Sequence, residues 1–465
     1  MIDPAEAITA PLKRDISTFG GLLITLSCLS PGIGVFIVAS QVIHQAGSGV
    51  FLCFAAALTL NLAIAAVYAE LGSAFPHSGG EYAVAGNVLG PSAGFAMMAT
   101  NLAGYSIALS SSGIGMADYL RAVAPGIQGV PTALVAVAAV TAIGIFSVKF
   151  NALVTGIFLA LEILALAVTA GLGFLHARGV GHLLALIVHP CMADAQGGLR
   201  AVSLVALGIG ASAGIYAFNG YGSVVSLGEE IRDSRRGVAK VVYWALVVAA
   251  LAEMVPILGI MAGTRDMAAL SASDSPIPAF LRSEGGPVLS VVLSLAVAAA
   301  LFNAMIAILV VGARQIYGSA RDRAWPMAVS RRLDRVHPRF GSPWVATLLL
   351  GGLALAECAI PLETQLLIIA NGNVAMYATL CAASLVGRRT GSTSHTRAPM
   401  RFFPWPPILG LCALAGVVWV DLLDPENGRA GLFAAAAVIA AGVVYYQLFV
   451  RRSARYGLRG PLDQA

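Results

Sequence analysis

Charge is what this sequence has least of. Asp, Glu, Lys and Arg supply 11% of its 465 residues, while hydrophobic types reach 58%. Soluble domains average roughly 25% charged residues, so a water-soluble globular chain is excluded. Cysteine is sparse: Cys28, Cys53, Cys191, Cys358, Cys381 and Cys412 have neither paired nor metal-ligand spacing. Most lie inside apolar runs and read as small packing residues, so no metal or cofactor is implied. The seven histidines are scattered, which leaves an integral-membrane enzyme without the His or Asp cluster it would want. No Gly-x-x-x-x-Gly-Lys-Ser/Thr run occurs, so ATP has no binding module. The net charge of +5 arises in short loops rather than one patch, giving no nucleic-acid footprint. A cleavable signal peptide is not expected, because the first 16 residues are polar and the apolar run beyond is too long.

What the chain does contain is apolar length. Runs of about 20 residues, each enough to cross a hydrocarbon core about 30 Å thick, recur from end to end. The fold expected is all-α and membrane-integral, with about 12 transmembrane helices. They fall near 18–43, 49–73, 93–122, 131–148, 152–175, 201–228, 238–262, 286–318, 343–361, 364–387, 405–423 and 430–450. Residues 268–284 read as a longer loop with short helical pieces. With the N-terminus inside, 22 of the 28 basic residues face the cytoplasm and six the other side. The positive-inside rule then places both termini in the cytoplasm, on a multi-pass protein of the cytoplasmic membrane.

Two spans carry interruptions. In the sixth, Gly214, Asn219, Gly220 and Gly222 cluster, and each interior glycine costs about 1 kcal/mol against alanine. In the first, Ser30-Pro31-Gly32-Ile33-Gly34 includes a proline that lacks an N–H and clashes with the preceding turn. Glycines also serve close helix packing, but paired interruptions at matching places of two five-span halves point to a secondary transporter's site.

Four stretches resemble the amino acid–polyamine–organocation (APC) family of transporters. They are Gly32-Ile33-Gly34-Val35-Phe36; Tyr68 to Gly72 with Pro76, Ser78 to Tyr82; Ala217 to Tyr221 running to Glu229-Glu230 and Arg235-Arg236; and Arg314 to Asp322. The resemblance covers most of residues 15–390. It implies a five-plus-five inverted repeat, leucine-transporter-like, with broken helices 1 and 6 and two further helices. The corresponding division is a tail at 1–17, a core at 18–390 with repeats at about 18–175 and 201–388, two added helices within 391–451, and a tail at 452–465. Pro31 departs from the commonest pattern and is closer to amine and polyamine members.

At the first break the following half-helix should present free N–H groups of Gly32, Ile33 and Gly34 to a carboxylate. At the second, carbonyls of Tyr216, Ala217 and Phe218 should accept from an ammonium. Phe218 is the expected gate, Tyr216 and Tyr221 are further ring contacts, and Asn219 beside Gly220 reads either as a substrate hydrogen bond or as a helix breaker. Asn101, Tyr105, Ser110 to Ser112, Asn303 and Asn371 to Asn373 are lesser cavity candidates. Glu70, Glu81, Glu229 and Glu230 read as ion pairs near basic loops. Glu253 and Glu357 are intramembrane but read as reaching an interface.

Glu162 lies deep within the fifth span with no charged neighbour in sequence. Intramembrane ionisable residues are expensive and usually functional, so Glu162 is the proton-coupling candidate; a permanently protonated, hydrogen-bonding role is the alternative. The eighth-span segment Ala298 to Ala304 has no Ser or Thr, which argues against a sodium site. The function expected is a permease moving an amino acid or related amine by alternating access, with a proton as partner. An exchanger is the alternative, an integral-membrane enzyme or a channel more distant ones. Oligomeric state has no signature in the sequence.

Overall fold

Helices account for nearly all the regular structure, as an apolar interior without water demands. The computed structural model describes residues 16–121, 123–194, 196, 198–273, 275–423, 428–453 and 455–458. The expected tails, with Lys13, Arg14 and Arg459, lie largely outside these residues.

Among the described residues, eight helical stretches are long and apolar enough to cross a membrane. The first, Thr18–Ala74, spans 57 residues and contains the two initial expected spans, separated by a tight turn at Gly47–Gly49. Gly129–Gly144 and Trp344–Glu357 are apolar but shorter. Pro91–Leu120 forms a 30-residue helix where the third span was expected. Three features were not expected from the sequence. Gly80–Leu89 is helical between the second and third spans. Cys191–Ala193 pairs antiparallel with Leu199–Ala201 in a two-stranded ribbon. The helix Pro276–Arg321 bends at Gly286, whose φ is 80°.

The Val148–Leu175 helix shows how sequence sets position. Ser147 caps it by accepting the Phe150 N–H at 3.3 Å. Leu153, Ile157, Leu161 and Leu164 form an exposed stripe at helical spacing. The opposite stripe, Thr155, Leu159, Glu162, Leu166 and Thr169, is buried. Glu162 is therefore turned inward, toward the first break. The Ser234–Gly263 helix packs beside it, with Trp244, Val247, Leu251 and Val255 outward.

One end of the bundle is held by buried ion pairs. Arg314 meets Glu230 through Nε, and its Nη1 donates to the Val310 carbonyl at 2.8 Å. Arg321 forks onto Glu229, which also accepts the Ser78 N–H at 2.9 Å. Burial pushes the Glu229 carboxyl up, but the bound Arg321 guanidinium outweighs this and leaves it below its ordinary value. Arg388 clasps Glu70 with bonds of 2.9 and 2.5 Å, and the Met400 N–H joins them at 2.6 Å. Three of the four glutamates expected in ion pairs thus have arginine partners. Ile16 ties in as well, exchanging backbone bonds of 3.0 Å with Glu230 and Arg232.

Removing one partner of a buried pair strands the other charge, at about 3–5 kcal/mol. Arg314→Met should therefore lower the unfolding temperature of the detergent-purified protein markedly. Arg314→Met combined with Glu230→Leu should recover most of that loss, and a double variant no better than the single one would contradict the account.

Candidate functional site

Two helix breaks face each other. The first is a single residue: the helix Thr18–Leu29 stops, Ser30 takes φ 50°, and helix resumes at Pro31. The turn then widens into a π-helix over Gly34–Ala39. The second break follows Leu204–Ala217; Phe218 to Gly220 form a turn before a 3-10 helix at Tyr221–Leu227. Gly220 has φ 122°, and a Cβ there would sit 2.7 Å from the Leu29 Cα. Only glycine allows both that torsion and that approach, so the two breaks touch backbone to backbone.

Beside this contact lies a cavity of about 130 Å³. Of the nine residues expected at the site, five border it: Ile33, Tyr216, Ala217, Asn219 and Gly220. Asn219 accepts from the Tyr377 hydroxyl at 2.6 Å. The other four lie behind the lining. Gly32 and Gly34 are buried against glutamates, Phe218 packs edge-on against Phe54 with ring centroids 5.8 Å apart, and the Tyr221 hydroxyl donates to Asn61 at 3.0 Å. Asn101, Tyr105, Ser112, Gly372 and Asn373 also reach the cavity. Ser110 is instead bonded to Gln365 at 2.6 Å.

Phe218, the residue expected to cover the substrate, does not face the hollow. Phe218 is fully buried and lines neither the central cavity nor the vestibule beside it. Tyr216, Ile33 and Ser112 border both the central cavity and a wider vestibule of about 570 Å³. The helix turns through 100° per residue, so positions 216 and 218 project in nearly opposite directions, and it is Tyr216 that faces the hollow.

The N–H groups at the first break are not free. Gly32 donates to Glu162 Oε1 at 2.6 Å, and Ser30 Oγ donates to the same oxygen at 2.8 Å. Ile33 and Gly34 both donate to the Ser30 carbonyl, at 2.9 and 3.3 Å. The protein's own carboxyl occupies the helix N-terminus, the place where such a group is best stabilised. At the second break the Tyr216 carbonyl accepts the Asn219 N–H at 3.0 Å. Glu162 is 1% exposed, and its Oε2 has no hydrogen-bond partner among the described residues.

Glu253 corrects a second expectation. It reaches no interface: it is fully buried, both oxygens lack hydrogen-bond partners among the described residues, and its carboxyl abuts Gly34. The helix continues through Pro256 to Gly263, so the proline ends nothing. Glu81 is the third surprise, because it lines the central cavity instead of joining an arginine. Its placement depends on the Gly80–Leu89 helix, which has no strong apolar period to announce it. Tyr68, Thr100 and Met376 line the cavity too and were not singled out as site residues.

The chain matches the family described as "Amino acid permease" over residues 16–444. An uncharacterized transporter of Mycobacterium tuberculosis is 25% identical over 447 residues, 96% of this chain and 93% of the relative. A branched-chain amino acid permease of Bacillus subtilis is 24% identical over 400 residues, 81% of this chain and 82% of the relative.

The geometry orders two ring substitutions. Phe218→Ala should lower stability by about 3–5 kcal/mol, as large buried truncations do. Tyr216→Ala should leave thermal unfolding nearly unchanged while impairing ligand binding and uptake. Unfolding curves and uptake on both variants check this, and the reverse order would place the gate at Phe218.

Proposed function

The chain belongs to the amino acid permease family and is an integral membrane transporter, not an enzyme; from that premise we propose that it moves an amino acid or related amine by alternating access as a secondary transporter. The observation that carries the reading is the meeting of two helix breaks beside one cavity, with Gly220 against Leu29. Ile33, Tyr216, Ala217, Asn219 and Gly220 are the residues proposed to touch substrate. Gly32, Gly34, Phe218 and Tyr221 support them from behind. Aliphatic walls at Ile308, Ile368 and Ile369 suit a substrate with an aliphatic stem.

The proposed topology has twelve crossings, a five-plus-five inverted repeat over about 18–175 and 201–388, and two further helices. Both termini are assigned to the cytoplasm by the excess of 22 basic residues over six.

For energy the proposal is proton symport through Glu162. Burial in a low dielectric disfavours a charged carboxyl unless partners compensate, and those partners here are the Ser30 hydroxyl and Gly32 N–H of the broken helix. Any movement of that half-helix changes the surroundings of the carboxyl and hence its hold on a proton. Sodium is not required in this reading. Asn303, in the region where a sodium ligand would be sought, donates its amide to Ser27 at 3.0 Å.

The test is uptake into proteoliposomes of a labelled substrate identified by counterflow. Glu162→Gln should lose accumulation driven by a pH gradient and keep counterflow. Accumulation equal to wild type would make Glu162 structural, and a wild type that exchanges but never accumulates would be an exchanger. Replacing sodium by choline at constant pH should leave uptake unchanged; strict sodium dependence would refute that part.

A further inference from the structure

The central cavity contains one acid and no base. Among the described residues that line it, Glu81 is the only Asp, Glu, Lys, Arg or His, and it is 2% exposed. The carboxyl has neutral partners, the Tyr68 hydroxyl at 3.3 Å and the Asn101 amide at 3.1 Å. No ion-pair partner meets it among the described residues, whereas Glu70, Glu229 and Glu230 each meet an arginine. A carboxylate removed from water is costly unless a counter-charge meets it. Two neutral hydrogen bonds compensate only in part, and the cavity that Glu81 lines is where a counter-charge can be brought to it.

The same hollow offers little to a substrate carboxylate. The Gly32 N–H is taken by Glu162, and those of Ile33 and Gly34 by the Ser30 carbonyl. A second negative charge brought near Glu81 would be repelled. A cation fares better, because the rings of Tyr68 and Tyr105 also line the space and can face an ammonium. Ile308, Ile369 and Met376 provide contact for an aliphatic stem.

We propose that Glu81 is the counter-ion for a substrate bearing more positive than negative charge, an aliphatic ammonium compound. A basic amino acid and an alkyl diamine share that chemistry; a branched-chain zwitterion does not. The proposal rests on the transporter reading for its place in a transport cycle, but binding alone can test it.

The experiment compares lysine, cadaverine and leucine as ligands of the full chain. Thermal unfolding in detergent reads binding, and counterflow in proteoliposomes reads transport. Wild type should be stabilised by lysine or cadaverine and not by leucine at equal concentration. A response to both diprotonated cadaverine and lysine, or to either alone, supports the proposal and tells whether the α-carboxylate is recognised. Glu81→Gln should keep the unliganded unfolding temperature and need at least about tenfold more cation for the same shift. Stabilisation by leucine that is indifferent to Glu81→Gln, or no response to either cation, overturns the proposal. If Glu81→Gln fails to fold, the wild-type comparison of lysine and cadaverine with leucine still decides. Cation binding without counterflow would remove the proposed alternating-access cycle and keep the counter-ion. Leucine counterflow unaffected at Glu81 would do the reverse.

Discussion

Backbone polar groups inside a hydrocarbon slab must find partners within the protein, and the centre of this molecule is arranged around that demand. Breaking the first helix at Ser30 releases N–H groups that water cannot reach. Glu162 reaches across from another helix to accept one of them, and the Ser30 carbonyl accepts two more. The break is therefore stabilised by a side chain from outside its own helix. The second break answers the same demand by shape: Gly220 folds back, the Asn219 N–H returns to the Tyr216 carbonyl, and the turn lies flat against Leu29. Each break forms part of the other's wall.

Charges sort by depth along the same logic. At the arginine-rich end, Glu70, Glu229 and Glu230 are matched by Arg388, Arg321 and Arg314. Such pairs add little over a well-packed apolar contact, yet breaking one is severe, so they favour a single arrangement of that end. Toward the breaks the acids meet no arginine among the described residues. Glu162 and Glu253 lie behind the first break and Glu81 lines the cavity. The sequence sets Glu229 and Glu230, which adjoin each other and lie near Arg232, apart from Glu162, which has no charged neighbour, but Glu70 and Glu81 both have uncharged neighbours and fall in different classes.

The helices were legible because hydrophobic length in a membrane has one structural solution, and the breaks because proline and glycine clusters work against helix. Ser30 as the actual turning point was not legible: Pro31 draws attention, but proline is well suited to the first position of a new helix, so the strain falls one residue earlier. Direction around a helix explains the remaining differences. Tyr216 and Phe218 are two positions apart, and no local signal states which faces the hollow. Glu162 could have been oriented from its own span, where Leu153, Ile157, Leu161 and Leu164 mark the opposite, lipid-facing stripe. Glu253 was misplaced because Pro256 was read as a boundary, although the Ser234–Gly263 helix continues through it. Glu81 had no such clue, as its neighbours in space, Tyr68 and Asn101, come from two other helices.

The half-helix after the first break is gripped from two directions, and this limits how it can move. Glu162 holds Gly32 by a hydrogen bond of 2.6 Å, while the Glu253 carboxyl fills the space that a side chain at position 34 would need. The first grip is directional and the second is steric. A rigid shift of residues 31–46 away from Val148–Leu175 breaks the Gly32 bond and exposes an N–H that must then find another acceptor. A shift toward Ser234–Gly263 is opposed at Gly34, where a Cβ would already lie 2.6 Å from the Glu253 carboxyl carbon. Movement of this segment is thus tied to the state of Glu162 by a bond that is either made or absent. The bond links the broken helix beside the cavity to a carboxyl that is not among the residues lining it.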